Sequence, residues 1–299
     1  MAIAPSSTHL VIFYMSLFLR VYDVSHALGD GFSESSSSQT PAVQPSRIIP
    51  KCHDAPVHVC RIDPSSTLLA SGSADGVVKV WDFQRGYVTH LFRGHGGVVS
   101  ALAFNYPRET RKTPVTSKDD VLQLITGSVD TRIRLFDLSA PSSQTSNVRA
   151  TAVLDGHASA PRGLDVSPDG RWLISGGRDS VVLIWDLYSR SKDQKLSSIN
   201  GSTTVDALSN IGNATLFKTI PVFERVEAAG FIHSETPVPS APSGSNVGRI
   251  KFFTGGGKGC IRIWDAWEGK VISTYGQDPA VGTNSETKLE ESREILDVM

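Results

Sequence analysis

Apolar positions along this chain recur as pairs of short runs separated by a tight polar turn. The pattern is sharpest at Leu68–Phe83. There Leu68–Ser73 and Val77–Phe83 flank Ala74-Asp75-Gly76, whose Asp and Gly tolerate the left-handed dihedrals that a two-strand connection needs. The second run is β-branched and aromatic, which suits a half-buried pleated surface, and it closes on Trp81-Asp82. The same hairpin returns at Leu122–Leu138, Trp172–Asp186 and Phe252–Asp265. A degraded copy stands at Thr8–Asp23, with Ser16 in the turn and Tyr22-Asp23 at its close.

Further apolar runs flank these hairpins. Val57–Ile62, Val98–Phe104, Gly163–Val166 and Val226–Phe231 predict an inner strand for each unit. Arg47–Pro50, Tyr87–Phe92 and Val271–Tyr275 predict outer strands, and Leu216–Ile220 reads as an outer strand of the last unit. Four short strands in about 40 residues match the period of a propeller blade. The expected fold is therefore all-β: an incomplete propeller of four four-stranded blades and a partial N-terminal blade. Residues 1–51 hold the partial blade and a Ser-rich loop, 52–276 the four blades, and 277–299 a polar tail. Within that tail, Arg293–Met299 reads as one more strand, expected to pair with the N-terminal hairpin, complete a fifth blade and bring the chain ends together. Ser25–Ser46, Asn105–Asp120, Pro141–Asn147, Tyr188–Ala214 and Ser234–Asn246 are polar and read as loops or insertions.

Composition narrows the function classes. The 299 residues are 39% hydrophobic and 20% charged with a formal net charge of −1, an ordinary globular balance with no bulk electrostatic footprint for nucleic acid or an anionic membrane. Leu10–Leu19 is too short to span a bilayer and lacks basic residues before it and a cleavage site after it, so it reads as buried strand. The three cysteines, Cys52, Cys60 and Cys260, have no paired spacing, which argues for a reducing compartment and against a zinc site. Gly255-Gly256-Gly257-Lys258-Gly259 lacks the full spacing of a phosphate loop and reads as a hairpin turn.

Each good unit carries the same four polar marks. They are His53, Ser71, Asp75 and Trp81; then His95, Thr126, Asp130 and Phe136, with phenylalanine replacing tryptophan; then His157, Ser175, Asp179 and Trp185. A Ser/His/Asp set suggests hydrolysis. A catalytic set, however, occurs once per site, whereas this one recurs per unit and lacks a strained nucleophile turn. A buried turn aspartate served by an imidazole, a hydroxyl and an indole N–H is the better physics. In the last unit Phe223 falls near the histidine place and Lys258 replaces the aspartate, so several marks are lost together. No enzyme activity, metal, cofactor or small-molecule substrate is expected. Arg93, Arg162 and Arg178 fall in loops at one rim of the ring and are candidate partner contacts, with solvated loop charges as the plainer reading.

Gly-His, Leu-x-Ser/Thr-Gly and Trp-Asp together resemble the WD40 signature. Longer phrases are more specific: Ile48–Pro64, Ser71–Leu102, Leu124–Leu138, Ser175–Leu187 and Thr219–Ala228. They resemble the U3 small nucleolar RNA-associated protein 13 family, the transducin-beta-like WD40 subunit of the small-subunit processome. That resemblance implies a nucleolar scaffold supporting the cleavages that release 18S ribosomal RNA. Its implied partners are other WD40 subunits, including the periodic tryptophan protein. The U3 ribonucleoprotein and pre-rRNA would be reached indirectly, and no membrane would be involved. The family carries two tandem propellers and a C-terminal helical domain, so this chain is expected to be a fragment of that length. The rival reading is a generic WD40 adaptor, for instance one presenting substrates to a ubiquitin ligase; no F-box-like segment precedes the repeats.

Overall fold

The structure, a computed structural model, describes residues 1–25 apart from 7 and 16, and 44–106, 122–139, 149–187, 214–232 and 250–276. The described residues form twenty strands and no helix. The strands make five antiparallel sheets of four, each in chain order. Blade 1 is β1 (Ala2–Ile3), β2 (His9–Phe13), β3 (Leu19–Asp23) and β4 (Arg47–Ile49). Blade 2 is β5 (Val57–Ile62), β6 (Leu68–Ser73), β7 (Val78–Asp82) and β8 (Val88–Phe92). Blade 3 is β9 (Val99–Asn105), β10 (Gln123–Ser128), β11 (Ile133–Asp137) and β12 (Ala152–Leu154). Blade 4 is β13 (Pro161–Val166), β14 (Trp172–Gly177), β15 (Val181–Asp186) and β16 (Thr215–Pro221). Blade 5 is β17 (Val226–Ile232), β18 (Lys251–Gly256), β19 (Ile261–Asp265) and β20 (Val271–Tyr275).

One turn geometry explains why blades 2 to 5 repeat. Gly76, Thr131, Ser180 and Gly259 sit at one place in the hairpin with φ of 78°, 68°, 65° and 77°. Each donates its amide to the carbonyl three residues back. Thr131 and Ser180 hold this left-handed conformation without being glycine, at a cost of about 1–2 kcal/mol each. At Gly76 there is a second constraint. A Cβ there would stand 2.6 Å from the His95 carbonyl oxygen, because the loop entering blade 3 crosses the turn.

The core lies between blades. Ala70, Val78 and Val80 of blade 2 pack on Val99 and Leu102 of blade 3. Ile125, Ile133 and Leu135 of blade 3 meet Leu164 of blade 4. Ile174, Val182 and Ile184 of blade 4 meet Val226, Ala229 and Phe231 of blade 5. Blades 1 and 2 share a fourth core around Val11, Leu19, Ile62 and Trp81. At the three joints from blade 2 to blade 5, a glycine admits the next inner strand. A Cβ on Gly72, Gly127 or Gly176 would come within 2.5 Å of Val99, 2.8 Å of Pro161 or 2.5 Å of Val226. Polar ties add to this packing. Asp63 accepts the Thr67 and Leu68 amides at 2.7 and 2.6 Å and the Tyr106 hydroxyl from the adjoining blade. Burial, with the bond to Asp63, pushes the Tyr106 hydroxyl up to about 12.

Three expectations change. The N-terminal blade has a fourth strand, because Ala2–Ile3 pairs with Val11 and Leu10. The slot intended for Arg293–Met299 is therefore filled from the other chain end, and that segment lies outside the described residues. Leu216–Ile220 belongs to blade 4 rather than to the last unit, since Thr215–Pro221 pairs with β15. Leu10–Leu19 is not one strand but the end of β2, a turn and the start of β3, of which Val11 and Leu19 are buried. No helix among the described residues is long and apolar enough to cross a membrane. Among those residues the four hydrophobic cores join successive blades, and none joins blade 5 to blade 1.

Candidate interaction rim and its polar networks

Among the described residues, the four-residue set is complete in blade 4 alone. Trp185 Nε1 donates to Ser175 Oγ at 2.9 Å. Ser175 Oγ lies 2.8 Å from His157 Nε2, and His157 Nδ1 lies 2.9 Å from Asp179 Oδ2. An ionised carboxylate only accepts, so Nδ1 carries the proton and Nε2 accepts from the serine. Asp179 also accepts the Ala158 amide at 2.8 Å, which pins the incoming loop to the hairpin.

In blade 3 the ring takes the opposite tautomer. Arg134 Nη1 stands 2.7 Å from His95 Nδ1 and 2.8 Å from Asp130 Oδ2. A guanidinium only donates, so Nδ1 is bare and His95 Nε2–H donates to Thr126 Oγ1 at 2.6 Å. Burial, then the Arg134 charge, push the imidazole down to about 4. Burial raises the Asp130 carboxyl, but the Gly96 and Arg132 amides and Arg134 outweigh it and hold the group below its ordinary range. Phe136 offers no N–H and stacks on Phe92 at 4.3 Å instead.

Blade 2 departs further. His53 Nε2 and Trp81 Nε1 meet Ser71 Oγ at 2.7 and 2.9 Å, as in blade 4. Asp75 does not join them. It caps the Val77 amide at 2.9 Å, and His53 Nδ1 is buried without a hydrogen-bond partner. Lys79 reaches the Cys52 carbonyl at 2.8 Å beside them. Burial, then Lys79, push His53 down to about 4.

Two positions decide which network forms. Gly177 leaves room for Asp179, since a Cβ there would stand 2.4 Å from Asp179 Oδ1 and 2.7 Å from His157 Nδ1. Ser73 and Ser128 hold that place in blades 2 and 3. Leu183 of blade 4 is replaced by the cations Lys79, Arg134 and Arg262. In blade 5, Arg262 pairs with Glu224, whose side chain is 3% exposed, while Trp264 Nε1 still donates to Thr254 at 2.9 Å. Glu224, not Phe223, turns inward. Phe223 is 84% exposed with φ of 61°. Gly177→Ser, which installs the blade 2 residue, is expected to separate His157 from Asp179. Its Nδ1 proton should disappear from the downfield NMR spectrum, with a stability loss of about 1–3 kcal/mol. A retained signal would show that Gly177 does not set the contact.

Ser71 and Ser175 are each 0% exposed, so neither hydroxyl is open to a substrate. The arginines at the rim differ among themselves. Glu227 of β17 binds Arg178 Nε at 3.0 Å and Arg162 Nε at 3.2 Å, joining blade 4 to blade 5. Burial raises the Glu227 carboxyl, but the two arginines hold it below the usual range. Arg162 lies in strand β13 rather than in a loop. Arg93 is exposed. Nothing in the chain's order marks Glu227, Glu224 or Arg134 as partners; the nearest signal is a cation two places before the Trp-Asp position.

The WD domain, G-beta repeat family matches residues 44–82, 86–137 and 149–186. The chain carries WD40 repeats. The match covers the outer strand of blade 1 and blades 2 to 4, apart from the outer strand of blade 4. The WD40 chain is 37% identical over 220 residues to transducin beta-like protein 3 of Bos taurus, covering 74% of this chain and 22% of that protein. It is 29% identical over 229 residues to U3 small nucleolar RNA-associated protein 13 of Saccharomyces cerevisiae, covering 73% and 22%. It is also 27% identical over 236 residues to mitochondrial division protein 1 of Kluyveromyces lactis, covering 75% and 28%. The WD40 chain thus spans between a fifth and a third of the length of these relatives.

Proposed function

We propose that this chain is part of a non-enzymatic WD40 scaffold in ribosome biogenesis. It would act in the small-subunit processome of the nucleolus and support pre-rRNA processing toward 18S rRNA. The observation that carries this reading is the similarity, over about three quarters of the chain, to a yeast protein named for its association with U3 small nucleolar RNA. The geometry fits a scaffold. Apart from Asp75, the polar groups that recur in blades 2 to 4 are buried or engaged within the blades, so work falls to the rim. On this reading residues 52–276 supply the repeat body, between the short blade of 1–51 and the polar tail of 277–299.

Arg93, Arg162, Arg178 and Phe223 are the proposed partner contacts. Arg162 and Arg178 are held in place by Glu227, and Phe223 keeps an aromatic ring in solvent on a left-handed backbone that costs about 1–3 kcal/mol. Other WD40 subunits are the proposed direct partners, with U3 ribonucleoprotein and pre-rRNA reached through them. Tagged full chain should recover U3 RNA and pre-rRNA from nucleolar extract. Phe223→Ala with Arg93→Ala should reduce that recovery while leaving the thermal midpoint unchanged. Recovery of neither RNA, or of a ubiquitin ligase in their place, rejects the reading.

A further inference from the structure

The far face of blade 5 repeats, position for position, the faces that blades 2, 3 and 4 present to their successors. Gly255 stands where Gly72, Gly127 and Gly176 stand, one residue after the hydroxyl residue that accepts the indole or imidazole. Phe253, Ile261 and Ile263 occupy the places of Ala70, Val78 and Val80, of Ile125, Ile133 and Leu135, and of Ile174, Val182 and Ile184. Those nine residues are at most 3% exposed, each set under the next blade. In blade 5, Ile261 is 47% exposed, and Phe253 and Ile263 are half-buried. A Cβ on Gly255 would meet nothing nearer than Ala228, at 3.7 Å. The seat is built and, among the described residues, uncovered. An apolar face of this kind on a sheet is a binding surface or an aggregation hazard.

We propose that Arg293–Met299 of this chain occupies that face as the inner strand of a sixth blade. The inner strands place core residues at fixed intervals from the residue on the glycine seat. From Val99 they are Leu102 and Phe104; from Pro161, Leu164 and Val166; from Val226, Ala229 and Phe231. Leu296-Asp297-Val298 repeats the tripeptide Leu164-Asp165-Val166 of β13. Alignment on it sets Arg293 over Gly255, with its aliphatic stem on the seat, and Leu296 and Val298 over Phe253, Ile261 and Ile263. The chain length allows it. The stretch 276–292 is longer than 93–98, 155–160 and 222–225, which make the same outer-to-inner passage in the other blades. The N-terminal hairpin is no competitor for this strand, since Ala2–Ile3 already completes blade 1.

The test is photo-crosslinking of the full chain with p-benzoylphenylalanine in place of Ile263. The expected product is an intramolecular crosslink to a peptide within 293–299. Its yield should be independent of protein concentration, and it should be lost in Leu296→Asp/Val298→Asp. That variant should keep the strand signature and the buried-tryptophan fluorescence of the parent. An intermolecular product that grows with concentration would mean that a second copy covers the face, and would overturn the proposal. So would crosslinks spread over the chain, crosslinks to no segment, or an intramolecular product that survives the double substitution. None of these outcomes depends on whether the chain recovers U3 RNA.

Discussion

Acidification from pH 7 to pH 4.5 is expected to remove about 2–3 kcal/mol of stability through each of His53 and His95. Both imidazoles are held at about 4 in the folded chain, below the ordinary value near 6.5. The folded state therefore favours the neutral ring. Above pH 6.5 neither folded nor unfolded chain binds the proton, and the full stability is present. Between about 6.5 and 4 the unfolded chain takes up protons that the folded chain refuses, so stability falls as pH falls. The carboxyls held below their usual range, Asp130 and Glu227, act in a lower window, below about pH 4. Urea unfolding midpoints at pH 7, 5.5 and 4.5 separate the two. His53→Gln and His95→Gln should each flatten the upper part of the profile. A midpoint constant from pH 7 to 4.5, or an undiminished slope in both variants, would mean that these rings are not buried neutral.

The second large effect is an inequality between two aspartates that hold equivalent places in the sequence. Asp179→Ala should destabilise by about 2–4 kcal/mol, because the buried His157 Nδ1–H loses its acceptor and the Ala158 amide loses its tie to the hairpin. Asp75→Ala should cost less than about 1 kcal/mol, because it removes one turn contact to Val77 and no hydrogen bond of His53. Thermal or urea denaturation of the two variants decides the matter. Equal costs would contradict the difference between the blades.

Much of the fold was legible because a propeller blade is a local object. Leu68–Phe83 pairs with itself across a turn of few residues, so strand, turn and register are written in one stretch. The loss of marks in the last unit was legible too, from Lys258 in the turn. Other features were hidden. Ala2–Ile3 is too short to show any alternation, and it is a strand because β2 offers it an edge. Ala152–Leu154 is another such short partner. Phe223 looked like the replacement for histidine by counting, yet Glu224 turns inward because Arg262 stands across from it.

The chain alone determined that hairpins repeat and close on Trp-Asp, since alternation and turn chemistry act over a few residues. It also determined which residues are available to each network. Only the tertiary structure decided how each network is wired. Whether an aspartate reaches its histidine depends on a Cβ at Gly177 or Ser73 and on a cation across the hairpin. These are contacts between segments whose separation in space is fixed only once the sheets have packed.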